Sequence, residues 1–194
     1  MANNDPVLIP YVIQAGSCWY VAYKEKNPFV PEITVSAKGI ANHMSEEIND
    51  GCDFGPDSYN PSVTSGVPLT QTSGIQEAWN YAFSKTLSIG FGGQPVIHFS
   101  EGTFYLNEDV TIAGTSTVKP NVVITGSGKK NTWIFINNTN GNGIVFDPAT
   151  LGDIYISNLS IHAPVAVNTM LNYYSSTLLI CLLQMLYYVQ HHTL

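Results

Sequence analysis

A train of short apolar segments, separated by turn residues, is the feature that most constrains the fold of this chain. Runs of three or four residues bounded by Gly, Asn, Ser and Pro are typical of β-strands. Strands this short cannot each bury a face alone, so they must stack on one another. The segments are 96–99, 103–106, 110–112, 122–125, 133–136, 143–146 and 154–157. The sequence therefore predicts an all-β fold built from stacked strands.

An amphipathic helix is predicted directly before these strands. It begins at Ser73, where Ser73 and Gln76 match the spacing of a capping box. A single apolar stripe of this kind favours a lid over the end of a strand stack. The stripe is formed by Ile75, Ala78, Trp79, Ala82 and Phe83.

Two segments repeat one pattern. Residues 121–126 and 153–158 each read polar, apolar, any, apolar, small hydroxyl, turn residue. Their spacing is typical of one coil of a three-sided solenoid. The sequence therefore predicts a parallel β-helix in which these two segments lie in successive coils.

The chain divides into three predicted parts. Residues 1–71 form an extension that has a hairpin turning at 15–17 and a long loop from 36 to 72. Residues 72–164 form the capped strand stack, and residues 165–194 form an apolar tail. Strand 33–35 is a further predicted element of the extension.

The tail leaves three interpretations open. From Ile154 onward the sequence contains no Asp, Glu, Lys or Arg, and residues 178–189 are almost wholly apolar. That run is shorter than the roughly 20 residues that cross a bilayer, which disfavours a membrane helix. A terminal helix over the last coil is the second interpretation. The third, which we favour, is an aberrant or truncated end, because the strand pattern stops at about Val165.

Residues 72–163 resemble the start of pectate-lyase-superfamily (pectin lyase-like) proteins. Three pieces carry the resemblance in the family's order: the helix 73–82, the segment Val96-Ile-His-Phe-Ser-Glu-Gly-Thr-Phe-Tyr-Leu106, and Asn121-Val-Val-Ile-Thr-Gly-Ser-Gly128. The resemblance implies a right-handed parallel β-helix with an N-terminal capping helix. It also implies polysaccharide contact, as in glycoside hydrolases, polysaccharide lyases and phage tailspikes. A homotrimer is implied by analogy with tailspikes alone.

The composition disfavours several functional classes. Only 11% of residues are charged, the net charge is −7, and all seven basic residues are Lys. The missing arginine and the negative charge argue against nucleic-acid binding, which needs a positive surface. Low charge is common in extracellular or virion-associated β proteins, and we expect such a location. The first residues lack the basic and apolar regions of a secretory signal.

The acidic residues near strand ends are the candidate catalytic groups. Glu101, Asp109 and Asp147 would serve if the chain were a polysaccharide lyase or glycoside hydrolase, since acid pairs hydrolyse glycosides. The family's Arg base, Asp-Asp pair and Gly-His-Gly motif are missing from this sequence. We therefore favour a non-catalytic module, and keep as the alternative an enzyme whose active coils are missing or diverged.

One loop is a candidate metal site. Asp50, Asp53 and Asp57 lie on a Gly-containing segment, and their carboxylates are the hard ligands that Ca²⁺ prefers. The spacing does not match an EF-hand loop, so a solvated turn is the competing interpretation. Calcium is the one cofactor that the sequence suggests.

Two tyrosines are the candidate carbohydrate-binding residues. Tyr105 and Tyr155 alternate with apolar neighbours along their strands, so we expect both side chains to point outward. An exposed aromatic ring can stack on a sugar ring, and such rings more often serve packing. Trp79, on the apolar stripe of the helix, is expected in the core.

Overall fold

The computed structural model describes residues 7–15, 17–26, 32–38, 52–64, 66–89, 94–164, 167 and 169–173. These ranges contain strands and a single helix. The elements are β1 (Val7–Ala15), β2 (Cys18–Lys26), β3 (Glu32–Val35), α1 (Ile75–Ile89), β4 (Val96–Phe99), β5 (Gly102–Leu106), β6 (Val110–Ile112), β7 (Val122–Gly126), β8 (Thr132–Ile136), β9 (Asn142–Phe146), β10 (Ile154–Ser157), β11 (Ser160–His162) and β12 (Thr169–Tyr173). The predicted all-β class is confirmed.

Strands β3 to β12 form three parallel sheets. The first sheet has the order β10-β7-β4-β3, the second β11-β8-β5, and the third β12-β9-β6. From β4 onward, strands that follow one another in sequence therefore belong to different sheets, and the same succession of sheets repeats. We call β4–β6, β7–β9 and β10–β12 the first, second and third strand units.

The register of the first sheet places residues of the same type side by side on neighbouring strands. Ile97 pairs with Ile33 on one side and with Ile124 on the other, and Ile124 pairs with Ile156. These positions face the core, where Ile33, Ile97 and Ile124 are buried. The two segments predicted to repeat do lie side by side, since Val122 pairs with Ile154 and Thr125 with Ser157.

Helix α1 covers the first strand unit. It contacts β3, β4 and β6, and Ile75, Ala78 and Trp79 are buried against the core. The indole Nε1 of Trp79 donates to the carbonyl oxygen of Ala113 at 3.1 Å. The lid predicted from the apolar stripe is therefore present, and Trp79 lies in the core as expected.

The predicted capping box is wrong. The Ser73 hydroxyl bonds the backbone of Tyr105 instead of a helix N–H group. Ser73 has φ 53 and Gly74 has φ 82, so the chain turns sharply before the helix begins at Ile75. Thr72 Oγ1 instead accepts from the N–H group of Gln76 at 3.2 Å. The Ser73 hydroxyl thus bonds a strand and not the helix, because the backbone of an edge strand such as β5 also needs hydrogen-bond partners.

The predicted hairpin at residues 15–17 is confirmed. β1 and β2 pair antiparallel in a register that runs from Val7 opposite Lys26 to Ala15 opposite Cys18. β1 is fastened to the chain after Cys52, since the Val12 N–H group donates to the Asp57 carbonyl at 2.7 Å. Lys24 Nζ also donates to the carbonyl oxygen of Cys52. The hairpin is thereby attached to this segment through both of its strands.

The paired strands cross both predicted boundaries. β3, from the predicted extension, joins the first sheet beside β4, and β12 pairs with β9 beyond residue 164. Within the described part of the chain, no helix is long and apolar enough to cross a membrane. The apolar run 178–189 lies outside the described residues.

Candidate functional site

A column of aromatic side chains runs along the outer face of the second sheet. Tyr105 pairs with Phe135, and Phe135 pairs with His162, so the three rings stand on neighbouring strands. The ring centroids are 5.9 Å apart for Tyr105 and Phe135, and 5.1 Å for Phe135 and His162. Trp133 lies two residues before Phe135, and the centroids of these two rings are 6.3 Å apart. We call Tyr105, Trp133, Phe135 and His162 the aromatic surface.

This face points outward because the strands alternate. Leu106, Ile134 and Ile136 are buried, whereas Tyr105 is 50% exposed and Trp133 39% exposed. Large aromatic rings that remain partly accessible on the face of a sheet offer apolar area for a planar ligand. The outward direction expected for Tyr105 is confirmed.

Polar groups border the aromatic surface. Trp133 lies between Thr103 and Ser160 in the register of the second sheet, so a hydroxyl stands on each side of the indole. Its Nε1 donates to the carbonyl oxygen of Lys130 at 3.2 Å, which fixes the ring. The Ser160 hydroxyl donates to the carbonyl oxygen of Lys129 at 2.8 Å. Two consecutive lysines, Lys129 and Lys130, therefore stand in the turn before β8, beside the surface.

Tyr155 belongs to a different face. It is 43% exposed, as expected, but it lies on β10 of the first sheet opposite Val123. The structure does not place it with Tyr105, which stands on the second sheet. The two predicted carbohydrate-binding tyrosines are therefore separated by the turns that join the two sheets.

One row of residues on the outer face of the first sheet is polar. Thr34, His98, Thr125 and Ser157 are aligned across its four strands. His98 Nδ1 lies 3.4 Å from Glu32 Oε1, and both side chains are at least one third exposed. The hydroxyl of Ser157 donates to Thr125 Oγ1 at 3.2 Å. Each residue of this row thus has a polar partner, since Thr34 donates to Asp53.

The three candidate catalytic acids lie in three different turns. Glu101 stands between β4 and β5, Asp109 between β5 and β6, and Asp147 directly after β9. The first turn joins sheets one and two, the second joins two and three, and the third follows sheet three. The fold therefore distributes these carboxylates around the stack.

Asp109 is engaged in structure. Its Oδ1 accepts from Asn138 Nδ2 at 2.6 Å and from the Asn142 N–H group at 2.7 Å. Its Oδ2 accepts from Asn142 Nδ2 at 3.3 Å. The carboxylate thus ties the turn of the first strand unit to the turn of the second. Asp147 has a local role, since its Oδ1 accepts from the Ala149 N–H group at 3.0 Å.

The predicted calcium ligands are only partly described. Asp50 lies outside the described residues. Asp53 Oδ2 accepts from the N–H and from the hydroxyl of Thr34, both at 2.9 Å, and Asp57 is buried. No group of three or more His, Cys, Asp or Glu residues within the described ranges is arranged to hold a metal ion. The calcium site stays a prediction.

Two titratable groups near the helix have raised pKa values. Burial raises the pKa of Glu77, and nearby Glu108 raises it further, while hydrogen bonds from Thr70 and Thr72 oppose the rise. Burial raises the pKa of Tyr81, with the charge of Asp53 adding to it. Both groups lie at the capped end. Their shifts therefore follow from packing of the cap.

Sequence reasoning missed the aromatic surface as a unit. Tyr105 was predicted as a ligand-binding residue, but its alignment with Phe135 and His162 depends on strand register. The signal available in the sequence is the outward position of each ring within an alternating strand.

Comparison of the chain with protein-family models, with curated proteins and with solved structures found no match.

Proposed function

We propose that this chain is a non-catalytic, right-handed parallel β-helix module whose outer face contacts polysaccharide. Successive strands from β4 to β12 join the three parallel sheets in a repeating order. This order supports the β-helix, because each strand unit would form one coil. Parallel strands joined by crossover connections are right-handed in nearly all proteins. Helix α1 would close one end of this solenoid, as the pectate-lyase-superfamily resemblance implies.

The aromatic surface is the observation that carries the polysaccharide proposal. A pyranose ring has an apolar face of C–H groups, which packs on an aromatic ring, and hydroxyls at its rim. Tyr105 and Trp133 offer accessible rings, while Thr103 and Ser160 offer hydroxyls on either side of the indole. Bonding to neutral hydroxyls suits a chain with so few charges.

The column suits an extended ligand better than a single sugar. Neighbouring strands are about 4.8 Å apart, so rings on three strands extend over about 10 Å. An extended polymer could contact Tyr105, Phe135 and His162 in turn. A glycan-facing surface of this kind fits a surface, virion or tailspike-like protein.

The placement of the acids favours a non-catalytic role. Glycoside hydrolysis needs two carboxyl groups about 5 to 10 Å apart across one sugar. Glu101, Asp109 and Asp147 stand in three separate turns, and Asp109 already accepts three hydrogen bonds. We therefore expect binding without release of reducing or unsaturated sugars.

Affinity electrophoresis with a panel of neutral and uronate-containing polysaccharides tests the proposal. Neutral polysaccharides report on stacking of sugars on the aromatic rings alone. Tighter binding of uronate-containing polysaccharides would reveal an added contribution from the charges of Lys129 and Lys130. For a polysaccharide that the chain binds, Tyr105→Ala and Trp133→Ala should each weaken binding about three- to tenfold, because each removes one ring.

Tyr155→Ala is the matched control. It removes an equally accessible tyrosine from another sheet, and binding should stay unchanged. Binding to no polysaccharide in the panel, or equal losses in all three variants, would contradict the site. Release of reducing or unsaturated sugars would contradict the non-catalytic role.

A further inference from the structure

Along residues 18–23, one edge of the hairpin strand β2 has no partner strand within the described part of the chain. β2 bonds to β1 along its whole length, and no other strand of the described residues pairs with it. The other edge of β1 is covered, because Tyr11 bridges to Ser58. The edges of β4, β5 and β6 at the capped end are likewise covered by β3, Ser73 and Gln76. Edge strands left open are templates for pairing with another chain.

The side chains of β2 are unusually apolar for an exposed strand. Tyr23 is 59% exposed and Trp19 is 40% exposed, and Val21 between them is exposed as well. Period-two alternation places these three on one face of the hairpin. Residues 18–23 contain no charge and no proline, the two devices that normally protect an edge. Exposed Trp and Tyr are also the residues that dominate protein interfaces.

The charges of β2 are confined to its end. Lys24, Glu25 and Lys26 follow the apolar stretch. Parallel pairing of two such strands would place like charges directly opposite one another. Antiparallel pairing separates these residues to opposite ends and joins the two apolar stretches. The strand is therefore complementary to a second copy of itself in the antiparallel orientation alone.

We infer that β2 pairs antiparallel with β2 of a second copy, so that the protein is a two-fold dimer with a continuous β1-β2-β2-β1 sheet. A two-fold axis perpendicular to a sheet places one residue opposite its own copy. With Val21 on the axis, Trp19 of each copy faces Tyr23 of the other on the same face. Aromatic cross-strand pairs of this kind stabilise antiparallel sheets.

Analytical ultracentrifugation of the full chain without polysaccharide tests this dimer. The wild-type chain should sediment with twice its monomer mass at about 0.1 mM. Val21→Lys and Val21→Glu should each raise the dimer Kd roughly a hundredfold, since like charges then face each other across the axis. An equimolar mixture of the two variants should dimerise again, because opposite charges now meet.

The control is Tyr155→Lys, which adds the same charge to an accessible strand position on the first sheet. It should leave the dimer Kd unchanged. If the charged variants fail to unfold cooperatively in urea, Tyr23→Ala replaces them and should raise the dimer Kd about tenfold.

Three results would overturn the inference: a wild-type monomer at about 0.1 mM, a trimer, or charged variants that fold but do not dimerise when mixed. Dimerisation is measured here without ligand, so its failure is distinguishable from failure of the polysaccharide proposal.

Discussion

Gln76 and Thr111 are joined by two hydrogen bonds that imitate a neighbouring strand. The Thr111 N–H group donates to Gln76 Oε1 at 2.7 Å, and Gln76 Nε2 donates to the Thr111 carbonyl oxygen at 3.0 Å. Ser73 does the same for β5, since its hydroxyl accepts from the Tyr105 N–H group and donates to the Tyr105 carbonyl, both at 2.8 Å. Side chains of the cap thus satisfy the backbone at edges that would otherwise be open.

Gln76→Ala should lower the free energy of unfolding by about 1 kcal/mol, because both Thr111 groups lose their partner at a site that water can reach. Urea denaturation measures the change. Asn80→Ala is the control, since Asn80 Oδ1 accepts only from the Gln76 amide on the exposed side of the helix. Equal losses in the two variants would count against the strand-mimicking role.

Thr132→Val should cost about 2 kcal/mol of unfolding free energy, although the side chains have the same shape. Thr132 is fully buried, and its hydroxyl donates to the Ser100 carbonyl oxygen at 2.9 Å while accepting from the Ser127 N–H group at 2.9 Å. Valine leaves both backbone groups without that partner.

Thr103→Val is the matched control for Thr132→Val. Thr103 lies on the outer face of the same sheet, opposite Trp133, and its replacement should change the unfolding free energy by less than about 0.5 kcal/mol. A neutral Thr132→Val would show that these hydroxyl bonds contribute little to the turn.

Glu77→Gln should stabilise the chain more at neutral pH than in acid. Burial raises the pKa of Glu77 above its ordinary value of 4.5. The folded state therefore holds a proton that the unfolded state releases, and the contribution of Glu77 to stability falls as pH rises from 4.5 through the raised value. Glutamine stays neutral and avoids this fall.

The measurement for Glu77 is the difference in unfolding free energy between Glu77→Gln and wild type at several pH values from 4 upward. That difference should grow in favour of the variant as pH rises. A difference that shrinks over the same range would mean that the hydrogen bonds from Thr70 and Thr72 outweigh burial.

Asp109→Asn should lower the unfolding free energy by about 1 to 3 kcal/mol. The carboxylate accepts hydrogen bonds from Asn138 and from two groups of Asn142, and an amide cannot accept all of them. Thermal unfolding measures the loss. Glu108→Gln, an exposed acid next in sequence, is the control and should have a smaller effect. An unchanged melting temperature in Asp109→Asn would reopen the question of a catalytic role.

The strands were predictable because burial follows residue type closely. The predicted segments 96–99, 110–112 and 154–157 coincide with β4, β6 and β10. β11 was not predicted, because Ser160, Ile161 and His162 offer only one apolar residue. β12 was not predicted either, because it lies past the point where the turn residues become sparse. The capping box failed because Ser73 and Gln76 can satisfy strand edges as well as helix ends.

The aromatic surface could not be predicted, since it depends on register. Tyr105 stands beside Phe135 only because the turns between β5 and β8 bring these two positions level. Turn lengths differ between the strand units, so the sequence alone does not say which outward residue of one strand meets which of the next. The local sequence pattern shows which side chains point outward, whereas the pairing of distant strands decides which of them lie next to each other.

The position of β3 has a consequence for the order in which the chain assembles during translation. β3 precedes the helix in sequence, yet it lies beside β4, and the Ala37 N–H group donates to a Ser100 hydroxyl 63 positions later at 3.3 Å. A nascent chain must therefore expose β4 beyond the ribosome exit before β3 can take its place in the first sheet. Until then Ile33 and Val35 lack Ile97 and Phe99, their partners on β4, and chaperones that hold apolar segments would find them there.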